Sequence, residues 1–137
     1  MRLAPTLVFL GAACLLRPDA AAAHHAFATE FTVDRPVQLA GKVTKVELIN
    51  PHSWIHIEVV DENGEAVEWM IEGGSPNALV RRGITKASIP IGSELVVRGY
   101  QARDGSHKAV GRDISFADGR QLFLEGTPTP EAGAESP

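Results

Sequence analysis

From Ser53 to Val60 apolar and polar residues alternate one by one: Ile55, Ile57 and Val59 in one phase, Trp54, His56 and Glu58 in the other. Successive side chains of a strand point to opposite faces, so the stretch predicts a half-buried strand with β-branched residues on its core side. A second alternation sets Val67, Trp69 and Ile71 against Glu68, Met70 and Glu72 and predicts a strand over 65–72. Between them Asp61-Glu62-Asn63-Gly64 predicts a hairpin turn, because glycine accepts the positive φ that such turns require. Upstream, Val37, Leu39, Val43, Val46, Leu48 and Ile49 predict a long first strand, bent or bulged at Gly41. It ends at Asn50-Pro51, where proline disfavours the helical region for Asn50 and supplies no N–H to a ladder. His52 enters the second strand in phase with Trp54 and His56.

After the third strand Gly73-Gly74 breaks the pattern, and Ser75-Pro76 predicts a helix start with serine as N-cap and proline at the first helical position. Residues 78–82 make one short helix closed by Gly83, with Arg81 and Arg82 suited to the negative end of its dipole. Further strands are predicted over 94–102 and 107–116, the latter with Ala109 and Gly111 small enough for close backbone approach, and a short last strand over 121–124. Three strands, a helix and two more strands form the order of the five-stranded OB-fold. The expected architecture is therefore all-β with one short helix, an OB-fold-like barrel preceded by a signal peptide and an N-terminal arm.

The N-terminus carries the signal. Arg2, a largely apolar run over 3–16 and the small residues Ala20-Ala21-Ala22-Ala23 match an export signal cut after Ala22 or Ala23. The apolar run reaches Arg17-Pro18-Asp19 too soon to span a bilayer, so no stable membrane span is expected after cleavage. Cys14 lies within the removed part, which leaves the mature chain without disulfides or thiolate metal sites. The expected divisions are residues 1–23 as signal, 24–36 as an arm whose Phe27 and Phe31 pack onto the domain, 37–125 as the β domain and 126–137 as a disordered tail rich in proline, glycine, alanine and glutamate. A periplasmic or secreted location follows.

Composition and charge narrow the function classes. Export would remove Arg2, Arg17 and Asp19, moving the formal charge from −4 to −5. An acidic domain lacks the basic footprint that phosphates demand, so no nucleic-acid partner is expected. Neither a nucleophile-base-orienter series nor a phosphate-binding glycine loop is present, and an enzyme is not expected.

All five histidines stay in the mature chain. With cleavage after Ala23, the α-amino group and ring of His24 can chelate one metal. With cleavage after Ala22, His25 stands third and can wrap the amine, two amides and its ring around Cu(II) or Ni(II) in square-planar geometry. The candidate metal residues are His24, His25, His52 and His107, and the candidate ions are copper, nickel and zinc. His52 and His56 lie about 13 Å apart along an extended strand, too far to share one ion directly. The competing reading has His52 bonding the backbone of the Pro51 turn, with His56 and Trp54 packed against neighbouring strands.

Three stretches carry a family resemblance: Ala23-His24-His25-Ala26-Phe27, the run from Gly41-Lys42-Val43 through Asn50-Pro51-His52-Ser53-Trp54, and Glu72-Gly73-Gly74-Ser75-Pro76-Asn77 with Arg81-Arg82-Gly83. Through them the chain resembles a family of short exported bacterial proteins known as domain of unknown function 6152, over nearly the whole mature domain to about Phe123. The resemblance implies export and a small barrel-like β domain, and transfers no activity. Two functions stay open. One is an exported binding domain that holds a transition metal through its N-terminal histidines. The other is a non-metal interaction module that binds a small molecule, a glycan or an exported protein on the face of Trp54, His56 and Trp69.

Overall fold

A computed structural model describes residues 29–122. The expected signal, the arm residues before Thr29, and the expected tail lie outside the described residues. Within them the chain is mostly β: β1 (Phe31–Ile49), β2 (His52–Val60), β3 (Ala66–Gly73), α1 (Pro76–Arg81), a single 3-10 turn (Lys86–Ser88), β4 (Glu94–Ala102), β5 (Lys108–Phe116) and the two-residue β6 (Gln121–Leu122). No helix among the described residues is long and apolar enough to cross a membrane.

Five strands close a ring in the order β1-β2-β3-β5-β4, with β4 returning to β1 and β6 added outside on β5. All neighbours are antiparallel except β3 and β5, whose parallel closure joins Met70, Ile71 and Glu72 to Lys108, Ala109 and Val110. One strand serves two partners because β1 is long: residues up to Lys42 pair with β4, and those from Lys42 to Ile49 pair with β2. The hand-over lies at Gly41, where a Cβ would stand 2.5 Å from the Glu58 carbonyl oxygen, so only glycine lets the backbones approach this closely. The expected bend is therefore present, with a register shift between Val43 and Lys45 just beyond it.

β1 starts at Phe31, earlier than the alternation from Val37 predicts. Phe31 pairs with Ala102 and is buried, while the register slips between Phe31 and Pro36, which has no N–H to give. The exposed residues 33–36 carry no periodic signal, and that hid the onset.

The inner faces form the core. Val43, Ile55, Ile57, Ile71, Leu95, Val97, Ala109 and Ile114 are all 0–1% exposed. Fully burying one such aliphatic side chain contributes about 1.5–3 kcal/mol. Leu79 of α1, Ile84 and Ile89 join the same cluster. Ser75 caps α1 by accepting from the Ala78 N–H at 3.3 Å, Pro76 opens it, and Gly83 beyond it takes φ 77°. The hairpin between β2 and β3 is held by the Asp61 carboxylate, which accepts from the Asn63 and Glu65 amides at 2.8 and 2.9 Å, with Gly64 at φ 83°.

Candidate functional site

Register assembles the site on the outer face of β1, β2 and β3. Lys45 pairs with His56 and Glu47 with Trp54 across β1–β2, while Trp54 pairs with Glu72, His56 with Met70 and Glu58 with Glu68 across β2–β3. These side chains share the phase opposite to the core residues Ile55, Ile57 and Ile71, so two imidazoles stand among several carboxylates.

His52 opens β2 beside the cis Asn50–Pro51 bond, and its Nδ1 lies 2.5 Å from Glu72 Oε1. This carboxylate, not the backbone of the turn, is its partner. The His52 side chain is 46% exposed and that of Glu72 only 11%. Burial pushes the Glu72 carboxyl above its ordinary value; His52 pulls against that rise, the negative charge of Glu30 adds to it and Lys108 opposes it. A folded value raised above the ordinary one gives stability that is fully present below pH 4.5 and lost as pH rises through the folded value. As pH rises through that folded value, the Glu72 carboxylate becomes a cost that its neighbours offset only in part. Glu72→Gln, with chelator present, is expected to leave stability at pH 7 unchanged or raise it by up to about 1 kcal/mol. It should also flatten the pH dependence above 4.5. Urea unfolding at several pH values checks this, and a clear loss at pH 7 would contradict it.

His56 is 7% exposed despite its outer phase. Its Nε2 is 2.8 Å from Glu47 Oε2 and its Nδ1 3.1 Å from Glu68 Oε1, so both ring nitrogens are taken. Lys45 Nζ meets the other Glu47 oxygen at 2.8 Å. The hydrogen bond from Lys45, then that from His56, hold the Glu47 carboxyl below the usual carboxylate range. His56 is therefore a clasp across three strands, as the packing reading had it.

Trp54 is half-buried and packs on a small cluster of Phe31, Ala102 and Val110, with Tyr100 beside it. Lys108 Nζ stands 5.8 Å from its ring centroid and 3.7 Å from Glu30 Oε1. Trp69 has the other phase and packs on the main core, so it does not share a face with Trp54 and His56. The His107 ring lies 5.0 Å from that of Trp69. His24 and His25 lie outside the described residues. Among the described residues no group of three or more His, Cys, Asp or Glu is arranged to hold a metal ion. Glu47, Glu68 and Glu72 give no local sign of a partner in the sequence, since only cross-strand register shows that each one meets a histidine.

A family model described as a family of unknown function (DUF6152) matches residues 13–112. No curated protein matches the chain. Solved structures do match, among them the mitochondrial single-stranded DNA-binding protein Rim1 of S. cerevisiae, at 13% identity and a TM-score of 0.44, covering 64% of this chain and 95% of that one. The expectation of no nucleic-acid partner meets a contrary finding, since a protein named for binding single-stranded DNA stands among the structural matches. At that score and identity the likeness assigns no ligand to this chain.

Proposed function

The chain belongs to the DUF6152 family, whose function is unknown, and on that premise we propose that it is a small exported binding domain. It holds one transition-metal ion, copper, nickel or zinc, between His52 and the N-terminal histidines His24 and His25. The observation that carries this reading is the His52–Glu72 pair. Metal-binding histidines commonly give their second ring nitrogen to a carboxylate, which fixes the ring and makes the free nitrogen a better donor. With Nδ1 engaged by Glu72, Nε2 of the half-exposed His52 is the atom left for an ion.

Chain length leaves the other proposed ligands within reach. Glu30 contacts Lys108, and its charge acts on Glu72. From Glu30 the five residues back to His25 span at most about 17 Å when fully extended. A site completed by the His24 amine and ring, or by the amides before His25, suits Cu(II) or Ni(II). The alternative of a non-metal ligand seated on Trp54 has less in its favour, because that indole already packs on the Phe31 cluster and lies beneath Lys108.

The test is intact mass of protein purified from the periplasm, under denaturing and native conditions with one equivalent of Cu(II). The expected result is an N-terminus at Ala23 or His24 and one copper retained. Loss of that copper is expected in His24→Ala and His52→Ala, and affinity about 10- to 100-fold weaker in Glu72→Gln. No retained metal, or a chain trimmed beyond His25, would overturn the reading.

A further inference from the structure

A hollow lies away from the histidines, on the outer face of β1, β4 and β5. Gln38, Arg98 and Asp113 stand in one line across the three strands. Next to them the register shifts: Gly99 pairs with Gly111 and Arg98 with Asp113, so Arg112 is the extra residue of a β-bulge. Strict alternation would send Arg112 and Asp113 to opposite faces. The bulge leaves both exposed, and Arg112 Nη1 reaches the Tyr100 hydroxyl at 3.4 Å. Beside the pairing of Gly99 with Gly111 lies a hollow of about 370 Å³ whose lining includes Gln38, Arg98, Gly99, Tyr100, Arg112 and Asp113. A neighbouring hollow of about 370 Å³ shares Arg98 and Asp113 and adds Ser115 and Gln121.

The charge here runs against the rest of the chain, with two guanidinium groups to one carboxylate in a protein of formal charge −4. Arg98 makes no side-chain hydrogen bond or ion pair among the described residues, although Asp113 is its register partner. A guanidinium presents five N–H donors in a planar fork that matches the oxygens of a carboxylate or phosphate group. Bulges recur where a side chain is re-aimed toward a ligand.

We infer that this hollow binds a small oxyanion, phosphate or carboxylate, between Arg98 and Arg112, with the Gln38 amide and the Tyr100 hydroxyl as further donors. The site is independent of the His52 reading, and either can fail alone.

The experiment is NMR titration of the full mature protein with inorganic phosphate, and separately with acetate, at constant ionic strength against chloride. Saturable shifts are expected at the Arg98 and Arg112 Nε–H groups and the Gly111 amide. Arg98→Gln or Arg112→Gln should weaken binding by about tenfold or more, while His52→Ala leaves it unchanged. Saturation by phosphate alone identifies a phosphoryl ligand, and saturation by acetate alone a carboxylate. Shifts that grow without limit and match those in chloride, or equal binding by both arginine variants and the parent, would overturn the inference.

Discussion

Gly99→Ala is expected to destabilise the protein by roughly 3 kcal/mol or more, the upper range of overpacking substitutions. Its Cβ would stand 1.8 Å from the Val110 carbonyl oxygen and 2.9 Å from the Val110 carbonyl carbon. Both atoms are backbone, so no side chain can swing aside and β4 must part from β5. Small domains hold about 5–15 kcal/mol in total, and such a loss consumes much of it. Gly64→Ala is the matched control: nothing lies within 4 Å of its Cβ, and only the φ of 83° resists the change. That substitution should cost about 1 kcal/mol. Urea unfolding followed by the fluorescence of Trp54 and Trp69 compares the two. A Gly99→Ala protein within 1 kcal/mol of the parent would mean that β4 and β5 cross farther apart than the Gly99–Val110 contact requires. The Arg98–Arg112 hollow should be lost together with the bulge that builds it.

Element order was legible because most elements carry their own local signal. The alternation of 53–60, the Asp61–Gly64 turn and the Ser75-Pro76 helix start all predict what is observed, and the helix between β3 and β4 separated the OB order from a plain sandwich. The onset of β1 was not legible. Phe31 earns its place by burying its ring beside Ala102 and Val110, on elements about seventy residues downstream, and no nearby periodicity announces such a contact. Closure of the ring was equally hidden, since three parallel pairs between β3 and β5 depend on how far the sheet has already coiled.

Half of the site was legible and half was not. Alternation put His52, Trp54 and His56 in one phase correctly, because side-chain direction along a strand is a local property. Their partners are not local. Glu47 meets His56 through the β1–β2 register, and Glu72 meets His52 through β2–β3, so glutamates of similar sequence context acquire different roles. Grouping Trp69 with Trp54 ignored phase: the two belong to different strands, and only register shows one facing the core and the other facing away. Arg112 was hidden for the same reason, since a bulge cannot be read from spacing when Gly111 accounts for itself as a close-approach residue.

His56→Ala is the other substitution with a large expected effect, about 2 kcal/mol at neutral pH. Two contributions add. A buried ring is removed from the join of three strands, and two carboxylates lose the group that lay between them. The pH profile should move as well. Glu47 has its carboxyl held low, by Lys45 first and His56 second, so its contribution is present above the ordinary value of 4.5 and lost as pH falls through the folded value. Removing His56 leaves Lys45 alone to hold it low, and acid unfolding should begin at a higher pH. Glu68→Gln separates the clasp from simple charge removal. Its side chain is 60% exposed, and an ion pair so open to solvent contributes about 0.5 kcal/mol or less. Urea midpoints for the three proteins, taken at neutral and acid pH, decide the matter: equal small losses in His56→Ala and Glu68→Gln would show that the β1–β2–β3 join does not depend on this imidazole.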